Sequence, residues 1–263
     1  MKVYVCTDIE GVSGVCTFYV QTSPEGKYFE DARKLLTAEI NAAVAGMVEM
    51  EVEDVLILDG HGPGAVVFED LHPPARLLHG RPLAPREIRD KVVDTFDVCM
   101  MIGQHAMAGT ADGNLNHTQN SKTVDYYKLN GRMIGEIAQF ALYQGATGMP
   151  LIFLSGDEAA CREAEELIPE ITTVAVKQGL SRNCAVSLSA EESHRRIRKG
   201  VRNAIKKHKE TPVPPLKWES PYFLEKRFFH NDDADRAAAT PGAERIDSQT
   251  VIFRSDDIRE IIY

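Results

Sequence analysis

Two carboxylates one residue apart, Asp8 and Glu10, close the first apolar run of this chain, and glycines follow at Gly11 and Gly14. The run Lys2–Thr7 is long enough for one strand and too short for a helix. In extended backbone, residues i and i+2 point to one side, so Asp8 and Glu10 are expected to aim at one point. Two carboxylates aimed at one point repel unless a proton, a cation or a basic side chain lies between them. An acidic strand end before a glycine turn looks the same, and a lone Asp-Ile-Glu does not separate the two.

The pattern recurs along the chain. Four apolar runs read as strands, at 2–7, 53–58, 97–102 and 150–154. Each ends beside glycine in a charged or metal-capable residue: Asp8 and Glu10, Asp59 and His61, His105 after Gly103, Asp157 after Gly156. In an open parallel sheet the carboxyl ends of the strands share one edge, and ligands bind in the crevice there. Asp8, Glu10, His61 and His105 are therefore expected to converge. Two carboxylates and two imidazoles make an N,O ligand set suited to zinc, manganese or iron, and to two ions when a carboxylate bridges. Such a pair, about 3.5–4 Å apart, clamps a carbonyl or phosphoryl oxygen and lowers the pKa of a shared water.

Two further residues stay open on pattern alone. Glu136 follows Gly135 at the start of a helix and is a candidate fifth ligand, but an acid there is also what the helix dipole favours. His117 lies in the polar stretch 106–121, placed either as a general acid/base or nucleophile or as an exposed loop imidazole. Asp157 is a candidate for holding a substrate amino group. Gly60-His61-Gly62-Pro63-Gly64 lacks the Gly-Lys-Ser/Thr ending of a phosphate loop, and neither GxSxG nor HExxH occurs.

The elements that must position these residues follow from periodicity and turn chemistry. Ala32, Leu36, Ile40, Val44 and Met47 recur at helical steps within 30–50. Helices are also expected at 86–96, 135–144, 159–167 and 189–208, the last with a basic face and a Ser189/Glu192 capping box. Asn130-Gly131 joins 124–129 to 132–134 as a hairpin. A strand is expected at 172–176, a proline-stiffened link at 211–215, strands at 222–229 and 250–253, an acidic loop at 231–235, and a short terminal helix after Ser255. Strands alternating with helices imply parallel pairing. The expectation is a layered α/β/α fold with a mostly parallel sheet over 1–186, plus a smaller α+β appendage over 187–263.

Composition narrows the function classes. A formal charge of −9 over 263 residues argues against nucleic acid as a partner. No run reaches the length of a membrane span, and the apolar start is broken at Asp8, unlike a signal peptide. A cytoplasmic location is the default expectation. Five cysteines without CxxC spacing point to neither a disulfide framework nor a thiolate zinc site.

At these residues the chain resembles the metal-dependent D-aminopeptidases, peptidase family M55, long labelled dipeptide transport proteins. The resembling stretches are Thr7-Asp8-Ile9-Glu10-Gly11-Val12-Ser13-Gly14, Leu58-Asp59-Gly60-His61, Gly103-Gln104-His105-Ala106, Asn116-His117, Gly135-Glu136 and 164–169. Val176-Lys177-Gln178, Ser181-Arg182 and Pro241-Gly242 extend the match over nearly the whole chain. The resemblance implies two zinc ions per subunit, held by Asp8, Glu10, His61, His105 and Glu136 with Asp8 bridging, and a catalytic His117. It implies removal of the N-terminal D-amino acid from short peptides, D-Ala-containing ones among them. It also implies a homodecameric ring whose channel admits small substrates. Stretches 59–64 and 113–117 depart from the family's form. Read without the resemblance, the ligand set also permits a di-metal hydrolase of another amide or a phosphoester, and the old label a non-catalytic peptide-binding protein.

Overall fold

The computed structural model describes residues 1–263. In chain order it begins with β1 (Lys2–Thr7), α1 (Phe29–Glu49), β2 (Asp54–Asp59), β3 (Arg76–Leu78), α2 (Arg86–Val93), β4 (Val98–Gln104), β5 (Val124–Leu129), β6 (Arg132–Ile134) and α3 (Glu136–Ala146). It continues with β7 (Leu151–Asp157), α4 (Glu158–Leu167), β8 (Thr172–Ser181), β9 (Cys184–Ser187), α5 (Ala190–Glu210) and β10 (Tyr222–Phe228). The last elements are α6 (Asn231–Ala238), β11 (Glu244–Arg245), β12 (Thr250–Ser255) and α7 (Ile258–Ile261).

Seven strands form one sheet in the order β3-β2-β1-β4-β7-β8-β9, parallel throughout except for β9. Strands β4 and β7 are buried along their whole length, as a parallel sheet covered on both faces requires. Helices α1 and α5 pack on each other closely enough that a Cβ at Gly46 would lie 2.7 Å from the Arg198 carbonyl. Tyr4 of β1 meets Phe96 and Phe140. The chain leaves β1 toward β2 on one side and returns to β4 on the other, so a topological switch point lies between β1 and β4, where a crevice opens at the strand ends.

A second, antiparallel sheet has the order β11-β12-β10-β5-β6. Its core joins Val124, Tyr127 and Leu129 to Leu224, Phe228 and Val251, and α3 lends Ala138 and Leu142. The expected boundary at 186/187 does not divide the two sheets. Strands β5 and β6 precede it yet pair with β10, while α5 follows it yet packs on α1. The expected strand at 172–176 runs on to Ser181 and turns back through β9, where polar Lys177, Gln178 and Ser181 hide the pattern. The expected acidic loop at 231–235 opens α6, because Asp232 and Asp233 suit the positive end of a helix. The expected helix at 86–96 ends at Val93. No helix is long and apolar enough to cross a membrane.

Glu39, buried on α1, accepts hydrogen bonds from the Ser13 N–H (3.0 Å) and the Ser193 hydroxyl (2.8 Å), tying the loop after Glu10 to α5. Its Oε2 is buried without a partner, and burial pushes the carboxyl up to about 7. A carboxyl raised on folding keeps its proton in the native state. Its contribution is present below the unfolded value of 4.5 and is lost as pH rises through about 7. Glu39→Gln stays neutral and keeps an acceptor for Ser13. Its unfolding free energy is expected to match the wild type near pH 4.5 and exceed it by roughly 3 kcal/mol at pH 8.5. A difference that does not change with pH would place the titration elsewhere.

Candidate metal centre

The edge at the switch point carries the residues that the sequence marks. Asp8 follows β1, His61 follows β2 by two residues, His105 follows β4 directly, and Glu136 is the first residue of α3. Glu10 reaches the same point by a different route from the one expected. The strand ends at Thr7, and residues 9–14 form turns. The loop is then pressed against β4: Gly11 N–H donates to the Gly103 carbonyl, and a Cβ at Gly11 would lie 2.0 Å from the Gln104 carbonyl. Only glycine fits that approach.

The side chains meet around Asp8. Its Oδ1 lies 3.1 Å from His61 Nδ1, and its Oδ2 lies 3.3 Å from His105 Nε2. His61 Nδ1 is also 3.2 Å from Glu10 Oε2, and His105 Nε2 is 3.4 Å from Glu136 Oε1. His117 Nε2 stands 3.8 Å from Glu136 Oε1, and its ring stacks on His105 with centroids 3.9 Å apart. Asp8, Glu10, His61 and His105 are buried; Glu136 and His117 are partly open.

Backbone carbonyls decide which nitrogen of each imidazole carries the proton. A carbonyl only accepts, so the ring nitrogen bonded to it must donate. His61 Nε2–H donates to Thr22 (2.8 Å), His105 Nδ1–H to Ala106 (2.9 Å) and His117 Nδ1–H to Leu115 (2.9 Å). In each neutral ring the lone pair therefore faces the carboxylates. Lone pairs facing carboxylate oxygens repel unless a cation or a proton is held between them. His105 Nε2 and Glu10 Oε2 are buried with no hydrogen-bond partner. Imidazoles that donate backward to carbonyls and present a lone pair forward have the arrangement of metal ligands. Two groups bring their donor atoms within 4.8 Å of one another, Asp8-Glu10-His105 and His105-His117-Glu136. The residues present fit a divalent cation such as zinc.

Without a cation, protons take that place. Burial opposes charge on His61, but Glu10 and Asp8 outweigh it and push the imidazole up to about 11. His105 is raised well above its ordinary value against the same burial, by Glu136 and Asp8. Burial raises Asp8, and the bonds from His105 and His61 reverse this and hold it well below the usual carboxylate range. Of the three imidazoles only His117 is lowered, by burial and by the charge of His105.

Residues to which the sequence assigned no role support this cluster. Gln119, at a φ of 63°, donates its N–H to Glu136 Oε1 at 2.7 Å and orients that carboxylate. Lys177 is buried on β8, and its ammonium donates to the carbonyls of Glu10 and Val15 and to Asn114 Oδ1 (2.8 Å). It thereby fastens the Asp8/Glu10 loop to the loop that bears His117. In the sequence it stands only within the resembling stretch Val176-Lys177-Gln178, as a charge inside a strand. Lys177→Met leaves those carbonyls unpartnered and is expected to lower stability by about 1–3 kcal/mol, read by urea unfolding of the metal-free protein. Unchanged stability would show that the ammonium carries no such load. Asp157 does not serve a substrate amino group. It is fully buried and caps α4, accepting from Ala160 N–H and Asn114 N–H at 2.9 Å each.

The chain resembles known proteins along its whole length. The model of the family Peptidase_M55, D-aminopeptidase, matches residues 1–263. A D-aminopeptidase of Bacillus subtilis (strain 168) is 32% identical over 262 residues, covering 99% of this chain and 93% of that protein. The solved structure of the Zn-dependent D-aminopeptidase DppA from Bacillus subtilis, a self-compartmentalizing protease, superposes with a TM-score of 0.91 at 31% identity. That match covers 100% of this chain and 94% of the other.

Proposed function

The chain belongs to the M55 family of D-aminopeptidases, and from that premise we propose that it is a di-zinc aminopeptidase that removes the N-terminal D-amino acid from short peptides, D-Ala-containing ones among them. The observation that carries this reading is the pair of imidazole lone pairs aimed at opposite oxygens of Asp8. Glu10 and His61 would hold one zinc ion, His105 and Glu136 the other, and Asp8 both. When bound, such a pair polarises the scissile carbonyl and makes water a nucleophile near neutral pH. His117 handles the proton: its Nδ1–H is committed to Leu115, so Nε2 is free to accept a proton and deliver it to the leaving amine. Gln119 holds Glu136 in place while this happens. Because the solved relative is a self-compartmentalizing protease, a homodecameric ring that admits only small peptides is part of the proposal.

The test couples metal analysis to turnover. Purified protein is assayed on D-Ala and L-Ala dipeptides and on an aryl phosphate, with and without a chelator. D-dipeptide hydrolysis that chelation abolishes and zinc restores is the expected result. Turnover of the phosphate alone, preference for the L-dipeptide, or full activity after metal removal would overturn it. Light scattering reports the ring.

A further inference from the structure

A cavity of about 300 Å³ adjoins the acid cluster and has Asp8 and Glu136 in its wall. That volume is at the small end of pockets that hold ligands. Tyr4 and Cys6, on the same face of β1 as Asp8, line it further back, and α2 contributes Arg86 and Arg89. One cavity therefore touches carboxylates in one part of its wall and guanidinium groups in another.

The arginines are not neutralised by the protein. Arg86 and Arg89 are half-buried, and neither has a carboxylate within 4 Å, whereas Arg76, Arg162 and Arg259 all do. Each spends one donor on a backbone carbonyl: Arg86 Nη1 on Arg259, and Arg89 Nε on Ala84 (2.9 Å). A guanidinium has five donors, so most remain free. Asp90, the carboxylate of the cavity nearest to them in sequence, is already engaged by Arg259 (2.9 Å) and by the Tyr143 hydroxyl (2.8 Å). Burial holds the Tyr4 phenol well above its usual range, and the Arg89 charge works against that; both residues line the same cavity.

We propose that Arg86 and Arg89 form a subsite for the free C-terminal carboxylate of a di- or tripeptide whose amino-terminal residue lies at Asp8 and Glu136. The dimensions agree. Four residues of strand separate Tyr4 from Asp8, roughly 13 Å, and a two- or three-residue peptide spans roughly 7–10 Å. A planar fork suits a carboxylate bidentately, and a chain that continues past the third residue has no carboxylate to offer. The subsite thus selects short peptides by their ends, a chemical sieve inside the active site itself. It deepens the aminopeptidase reading and rests on it.

The experiment compares D-Ala-D-Ala with its C-terminal amide on the zinc-loaded enzyme, wild type beside Arg89→Gln. The wild type is expected to favour the free acid by about tenfold or more in kcat/KM, mainly through KM. In Arg89→Gln the acid-to-amide ratio is expected to fall about tenfold. The wild-type comparison needs no substitution, so it stands even if the variant folds poorly. Equal use of acid and amide by the wild type, or a variant that loses both equally, overturns the subsite and leaves the aminopeptidase reading intact. Hydrolysis of neither by the wild type overturns both.

Discussion

His117→Ala is expected to reduce kcat by about 10²–10⁴-fold while zinc content and KM stay near the wild-type values. The geometry separates His117 from the five residues proposed as ligands. Its Nε2 approaches one carboxylate only, at 3.8 Å, whereas the facing nitrogens of His61 and His105 each lie within 3.4 Å of two. It is also the one imidazole of the cluster whose pKa is lowered in the metal-free protein, by burial and then by the charge of His105. Phe18 meets its ring edge-on at 5.6 Å and Leu115 holds Nδ1, so the lone pair keeps a fixed direction. Removing the ring leaves the proposed cations but removes the group that moves the proton. Metal analysis beside steady-state kinetics decides the matter. Normal turnover would take His117 out of the mechanism, and loss of zinc would make it a ligand.

A larger loss is expected at Asp8, where both halves of the cluster join. In Asp8→Asn, zinc content should fall below one ion per subunit and kcat/KM by more than about 10³-fold, equivalent to about 4 kcal/mol of transition-state stabilisation. The amide keeps the size of the carboxylate but neither its charge nor a second lone-pair oxygen, so it cannot face His61 and His105 at once. Glu10→Gln is the control, because Glu10 touches His61 alone. That variant should lose one ion and keep part of the second. The measurement is metal per subunit after dialysis, followed by activity across a zinc titration. Two ions retained in Asp8→Asn would remove Asp8 from the bridging position.

The wild-type protein and Asp8→Asn should also differ in their response to chelation. In the wild type a chelator leaves two lone-pair-bearing imidazoles against three carboxylates, and protons must be taken up to balance them, as the raised pKa values of His61 and His105 show. Metal release from the wild type is therefore linked to proton uptake.

The sequence alone determined what depends on neighbours in the chain. Apolar runs ending in Asp8, His61 and His105 announce strands and their ends, because a short apolar run and a following glycine are local signals. Helix α1 is legible from its spacing, and the β5–β6 hairpin from Asn130-Gly131. The tertiary structure decided everything that depends on groups distant in sequence. Glu10 arrives by a turn wedged against β4, not by strand alternation. Glu136 faces His105 instead of merely beginning a helix, and Asp157 is consumed as a cap. The interleaving of the two sheets follows from β5 pairing with β10, nearly a hundred residues away. The protonation of each imidazole is set by the carbonyls of Thr22, Ala106 and Leu115, and the availability of Arg86 and Arg89 by the carboxylates they lack. Residue type and local pattern say which groups can do chemistry; burial and long-range contact set their charge, direction and partners.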